Sequence, residues 1–478
     1  MKNILIRTLI LVFLGFSFQN CEKSLEEIVF SELAPENFLK TKEGINSVLN
    51  NAYSIQQRHG QNTFNAISTF QMPSGEIWNR GGSIETDLTP MREYTWDSNA
   101  GRLNGEWTNS YQAIRDVNLI MDNLATGNFD ADFVKNITAE AKFIRAKSMI
   151  DIYDLFGTGP MFLSSVFDEL QKPRATEAEW TTQIIKDMTE AMNVLPAKPA
   201  YGRASSGAAA GILCKFYLNL KRWNDAMAMA DKVINTGQFD LFPTYIDLFA
   251  IANEGNSNKE IIYTHPATSA GSSSAVQTNA LVFPTDYNRP SSIGLFAARV
   301  YFFDSFVDSF HPSDTRQAML IKSYVNTAGK TIQGYGVNET IAGKYELDKN
   351  ANGANQSNDW PEIRYADILL SKAESLNEMN GPSKEAVDLI NRIRTRAKVP
   401  ELELSNFTTK EKLRSAILDE RSWEFAFEGK RRQDEIRQGV MISRAQARGK
   451  NAKDFHVLFP IPQTEIDANK QIKQNSGY

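Results

Sequence analysis

The chain has 478 residues, 42% of them hydrophobic and 23% charged, which is enough apolar material to bury a large core. A net charge of -5 without any long basic block gives a nucleic-acid partner no electrostatic basis. Only two cysteines are present, so a disulfide scaffold is excluded.

Lys2 and Arg7 flank a short basic start, Ile4 to Phe18 is almost wholly apolar, and Gln19-Asn20-Cys21-Glu22-Lys23 follows. An apolar run of about 15 residues falls short of the ~20 that a spanning helix needs, and it sits where a cleavable export signal sits. Residues 1–20 are read as a signal peptide and Cys21 as a lipid attachment point, with each buried CH₂ of an acyl chain contributing ~0.8 kcal/mol of membrane affinity. Simple secretion is the alternative.

Helical periodicity is expected around 35–60, 107–240 and 361–435. Trp107, Tyr111, Ile114, Val117 and Met121 recur at helical spacing, as do Phe133, Ile137, Ala141, Ile144, Ser148 and Ile152, until Gly157-Thr158-Gly159-Pro160 stops the run. Further helices are predicted at Glu177 to Leu195, Ser205 to Leu220 and Trp223 to Asn235, the last two joined so tightly that they must pack antiparallel. Cys214, inside the apolar run Ala208 to Leu220, reads as a small buried hydrophobe and not a nucleophile. The same pattern returns at Ile363 to Met379, Ser383 to Lys398 and Thr409 to Phe427. Small residues at contact positions, such as Ala226, Ala228 and Ala230, suggest degenerate tetratricopeptide-like hairpins. The tracts around 60–105 and 254–358 are rich in Gly, Ser, Asn and Thr and read as loops with a few short strands. The predicted fold is mainly α: a tetratricopeptide-like helical-hairpin scaffold carrying loop-rich insertions.

Catalytic motifs are not in evidence. His59, His265, His311 and His456 are widely separated, and no nucleophile elbow, P-loop or metal-spaced histidine pair occurs. Asp348, Asn350, Asn352 and Asp359, with Gly353 at the turn, have the spacing of a calcium loop, although an entering helix is lacking and an Asn/Gly-rich surface loop explains them as well. Glu420, Glu424 and Glu428 form a row at helical spacing close to Arg421, Lys430, Arg431 and Arg432, the pattern of a structural ion-pair network. Arg364 and Asp367, set among Ile363, Ile368 and Leu369, read as polar ties between packed helices.

Ordered motifs run the length of the chain: Ala139-Glu140-Ala141-Lys142-Phe143-Ile144-Arg145-Ala146 to Leu155-Phe156-Gly157, then Gly202-Arg203-Ala204, Arg364-Tyr365-Ala366-Asp367-Ile368-Leu369-Leu370 and Ile390-Asn391-Arg392-Ile393-Arg394-Thr395-Arg396-Ala397. Glu420-Arg421-Ser422-Trp423-Glu424-Phe425 and Leu458-Phe459-Pro460-Ile461-Pro462 complete the series. In these motifs the chain resembles the SusD/RagB family of surface nutrient-binding lipoproteins. The resemblance implies a single SusD-like domain over 21–478 at the outer-membrane surface. It also implies capture of glycans for a SusC-like, TonB-dependent barrel, with no cofactor and no catalysis. Peptide capture in the same kind of complex, or a helical-repeat interaction scaffold, are the alternatives.

A sugar presents apolar C–H faces ringed by hydroxyls, so its site should combine aromatic platforms with polar donors and acceptors. Asn65, Trp78, Arg80, Tyr94 and Trp96 supply that mixture in the first loop-rich tract, together with Glu76, Asn79 and Asp97. Tyr287 and Arg289, beside Asn288, supply it in the second. Trp107, Trp180, Trp223 and Trp423 fall within helical periodicity and are expected in the core.

Overall fold

The computed structural model describes residues 38–61, 66–82, 84–166, 169, 171–271, 276–297 and 299–478. The chain divides into two units, Met1–Asn46 and Ser47–Tyr478. In the first, the Thr41 hydroxyl accepts the Gly44 N–H at 3.0 Å and so caps helix α1 (Lys42–Gln61). All that follows concerns the second unit.

Helices α2 (Glu85–Glu93), α3 (Gly101–Thr126), α4 (Ala131–Phe156), α5 (Glu177–Met192), α6 (Ser206–Asn219) and α7 (Trp223–Ile234) come first. From α3 to α7 each packs on the next. Caps set the starts: Asp130 accepts the Phe133 N–H, Ser205 accepts the Ala208 N–H, and Thr176 with Glu179 forms a capping box. Helix α6 is buried nearly all round, Cys214 included, and is the centre of the stack. A Cβ on its Gly211 would lie 3.1 Å from Ile363 Cδ1, so a glycine allows the Ile363 side chain to approach the helix.

After α7 the chain leaves the stack and returns to it with α8 (Tyr365–Asn380), which packs directly on α7; α9 (Lys384–Arg396) and α10 (Lys410–Glu424) then pack on α8, followed by α11 (Arg431–Gln438). The intervening segment carries the strands β2 (Ile261–His265), β3 (Arg299–Phe302), β4 (Leu320–Ile321), β5 (Ser323–Val325), β6 (Thr331–Gln333), β7 (Thr340–Ala342) and β8 (Trp360–Arg364). One further strand, β1 (Ile77–Arg80), comes from the first loop-rich tract and pairs antiparallel with β3 in a sheet of order β1-β3-β7-β4. The two tracts read as separate in sequence are thus joined edge to edge.

Some boundaries differ from the sequence expectation. Helix α3 starts at Gly101, ahead of Trp107, and Ile363 and Arg364 belong to β8 and not to α8. The tract 60–105 also contains α2, which buries Leu88 and Met91 and ends at Tyr94 in the left-handed conformation. Trp107 and Trp180 are core residues as expected, whereas Trp223 and Trp423 are only partly buried.

The expected ion-pair network exists and is almost wholly buried. Glu424 lies 2.6 Å from Arg396, 3.0 Å from Arg364 and 3.3 Å from Arg316; Glu428 binds Arg364 at 2.7 Å and Lys344 at 2.5 Å; Glu420 binds Arg316 at 2.6 Å and Arg394 at 2.8 Å. Glu260, just before β2, pairs with Arg364 and Arg396. Burial by itself raises the Glu424 carboxyl, and Arg396, Arg364 and Arg316 override it to hold the group down at about 2. Asp367 and Asp434 are likewise buried yet held well below the usual range by Arg421 and Lys215, while burial raises Glu260 against the pull of Arg396 and Arg364.

A carboxyl whose folded pKa lies below its ordinary value of 4.5 stabilises the fold fully above that value and loses the contribution as pH falls toward about 2. Glu424→Gln removes this group and leaves three arginines short of a shared partner, so it is expected to lower the unfolding free energy at neutral pH by ~3–5 kcal/mol. It should also flatten the acid limb of the stability profile. Urea titrations of both proteins across that pH range check both effects; an unchanged acid limb in the variant places the pH dependence elsewhere.

Candidate functional site

Strand alternation sorts the residues of β1. Ile77 and Asn79 face inward and are buried, with the Asn79 amide donating to Thr89 Oγ1 at 3.1 Å, so Trp78 and Arg80 project from the opposite face. Across the strand pair Trp78 stands opposite Tyr301 and Arg80 opposite Arg299. The Trp78 ring is backed by Tyr301 at 6.1 Å and Phe303 at 6.2 Å, the latter nearly parallel. Its indole N–H donates to the Asn338 carbonyl, and the neighbouring Glu339 carboxylate pairs with the largely exposed Arg80. A partly exposed indole is therefore held at one edge by a hydrogen bond and supported on one face by aromatic rings.

A second aromatic group lies beside the first. Tyr287 packs on Phe283 at 4.7 Å and on Tyr324 of β5 at 5.2 Å. Desolvation and a hydrogen bond to Asp286 raise the Tyr324 phenol, which therefore stays protonated and donates to Asp286 Oδ1 at 2.9 Å. Asn326 Nδ2 and the Thr327 N–H also bind Asp286, tying the β5–β6 hairpin to the 285–289 turn. Arg299, whose guanidinium is lowered by desolvation, interacts with Tyr301, Tyr324, Asp286 and Arg289. The two groups meet there. Flat rings edged by an amide, a guanidinium and carboxylates can hold a molecule that offers both apolar faces and hydroxyls.

Of the residues singled out in sequence, Trp78, Arg80 and Tyr287 occupy this face. Arg289 lies beside it as a brace, its guanidinium spent on the carbonyls of Ile293, Thr285 and Tyr287. Asn65 lies outside the described residues. Tyr94 and Trp96 require correction, since they are 2% and 4% exposed. The left-handed turn at Tyr94 sends the chain inward, where its hydroxyl donates to Pro73 O and Trp96 Nε1 donates to the Tyr478 hydroxyl at 2.7 Å. Phe459 and His456 each meet Trp96 edge-on, with ring centres 4.9 Å apart. Glu76 is also buried, beside Arg431 and Ser422, and burial raises its carboxyl to about 7. Tyr301, Phe303, Tyr324 and Asn338 were missed; the aromatic run Tyr301-Phe302-Phe303 was the available signal.

The stretch from Asp348 to Asp359 is held by hydrogen bonds of its own. Asp348 Oδ1 accepts the Asn350 N–H and its Oδ2 accepts both the Ser357 N–H and hydroxyl, so this buried carboxylate serves its own loop. Asn352 bridges to Asn355, and Asp359 turns to Tyr201 and the Ala267 N–H. Among the described residues no cluster of His, Cys, Asp or Glu is arranged to hold a metal ion.

A family model described as "SusD family" matches residues 314–478, and one described as "Starch-binding associating with outer membrane" matches residues 25–218. The chain belongs to the SusD/RagB family. A SusD-like protein of Formosa agariphila is 26% identical over 98% of this chain and 99% of its own. The starch-binding protein SusD of Bacteroides thetaiotaomicron is 24% identical over 82% of this chain and 81% of its own. A laminarin-binding SusD-like protein of known structure superimposes with a TM-score of 0.78 at 23% identity, covering 91% of this chain and 99% of that one. The family's mainly helical fold is the one described above.

The two tryptophans read alike in sequence should behave differently. Trp96→Ala opens a cavity in a closed cluster and is expected to cost ~3–5 kcal/mol of stability, whereas Trp78→Ala removes a partly exposed ring and should cost well under half of that. Chemical denaturation of both variants checks the contrast, and equal losses would contradict the division between core and face.

Proposed function

We propose that this protein captures oligo- or polysaccharides at the Trp78–Tyr287 face and delivers them to a TonB-dependent outer-membrane barrel. The observation carrying this reading is the partly exposed Trp78 indole, fixed on a sheet edge next to Tyr287, Tyr324 and Arg80. Family membership supports it, as do the starch- and laminarin-binding relatives. The chemistry is binding without bond making or breaking: the rings take the apolar faces of the sugars and the polar edges take hydroxyls. No cofactor is needed. Trp78→Ala and Tyr287→Ala are each expected to weaken glycan binding by roughly three- to tenfold, the equivalent of one lost stacking contact. A glycan array followed by calorimetry tests this. Retention of peptides in place of every saccharide by the wild type would overturn the glycan assignment.

Residues 1–20 as a removed leader, 21–478 as the mature chain and Cys21 as the acylated residue complete the proposal; residues 1–37, the leader and Cys21 among them, lie outside the described residues. Among the described residues no helix is long and apolar enough to cross a membrane, so in this reading a lipid holds the domain at the surface and a separate barrel carries the cargo. Cys21→Ala is expected to move the protein from the detergent phase to the aqueous phase on phase partitioning, with saccharide affinity unchanged. Mild-detergent purification of the wild type should recover a large barrel in near-equal amount. Equal aqueous partitioning of both forms, or repeated failure to crosslink a barrel in glycan-grown cells, argues against the anchor or the partner respectively.

A further inference from the structure

The loop that receives the Trp78 indole N–H carries a second ring, Tyr335, which is 43% exposed. Single exposed apolar residues mean little by themselves. Tyr335 differs in being held. Its hydroxyl donates to Asp308 Oδ1 at 2.7 Å, and Lys322 Nζ lies 5.4 Å from the ring centre. The loop beneath it is braced as well: Asp304 Oδ2 accepts the N–H groups of Gly336 and Asn338 at 3.0 Å each, Asn338 Oδ1 accepts the Asp304 N–H at 2.8 Å, and the Gly334 and Tyr335 N–H groups both bind Lys322 O. Val337, 56% exposed, extends the apolar surface beside the ring.

An exposed tyrosine pinned at its tip and its backbone has already lost the freedom that binding would otherwise take from it. An acceptor, Asp308, lies at its hydroxyl, and a cation, Lys322, lies over one face of the ring. Tyr335 lies three positions before Asn338, a backbone span of at most roughly 10 Å. One flexible chain of sugars seated on Trp78 can therefore continue onto Tyr335. Resting on the glycan reading given above, we infer that Tyr335 is a second saccharide platform that gives the protein preference for longer chains, with Trp78 as the primary contact.

The test is calorimetry with di- to octasaccharides prepared from laminarin and from amylose, alongside affinity electrophoresis through gels holding each intact polysaccharide. Tyr335→Ala is expected to weaken the longest oligosaccharides and the polymer by up to about tenfold and to leave the shortest binding member within about twofold. Tyr335→Phe keeps the ring and should retain most of the affinity. Equal loss at every length, no loss at any length, or a phenylalanine variant as weak as the alanine variant overturns the proposal while leaving the Trp78 site intact. Unchanged saccharide affinity with loss of the co-purifying barrel also overturns it and assigns this ring to a protein contact. Wild-type protein that binds neither glucan at any length, while Trp78→Ala is equally inert, removes the glucan platform altogether, the primary site included.

Discussion

The cluster around Glu424 and Arg364 is the interaction on which the rest of the structure depends. Its acids lie mainly on α10 and the turn after it, while Arg316 and Lys344 come from the long segment between α7 and β8 and Arg394 and Arg396 come from α9. Apolar packing alone would let a loop-rich segment slide over a helical stack, because dispersion and burial are non-directional. Buried ion pairs do not allow this: each carboxylate must sit within hydrogen-bond distance of a guanidinium or ammonium or pay a large desolvation penalty. The network thereby fixes the register in which the sheet bearing Trp78 rests on the helices. Its value lies more in that geometric demand than in net stability, since a buried ion pair gains little over well-packed hydrophobic residues.

The helical scaffold was legible because its signals are local. Apolar spacing, capping residues such as Ser205 and Thr176, and terminating glycines such as Gly157 and Gly439 act within a turn or two of chain. The motif bearing Glu420 and Glu424 was correctly assigned to ion pairing for the same reason. What sequence did not disclose was which distant cations those acids would meet, Arg316 and Arg364 among them.

The binding face was only partly legible because it is assembled from remote pieces. Trp78 receives its hydrogen-bond acceptor 260 positions along the chain, and its supporting rings come from β3 and the residue that follows it. Trp78 and Trp96 share one tract, one texture and the same kind of polar neighbours, so nothing local distinguishes a platform from a core residue. The difference arises from strand alternation at Trp78 and from the left-handed turn at Tyr94, which points the next segment toward Phe459 and Tyr478. Arg289 shows the same limit in another form: an arginine in a polar loop reads as a ligand donor until its backbone partners are seen.

The packing of α7 on α8 and the pairing of β2 with β8 bring the flanks of the intervening segment together on the scaffold. Such an arrangement invites exchange of the segment between relatives, with little loop-closure entropy at stake. Two features restrict that exchange. Trp78, on β1, stays behind with the host, and an incoming segment lacking counterparts of Glu260, Arg316 and Lys344 would leave the host's buried acids and arginines mismatched. Evolution of a new ligand preference in this architecture is therefore a two-site problem, in which substitutions near Trp78 and changes in the long segment must be compatible while the ionic joint between segment and scaffold is conserved in charge.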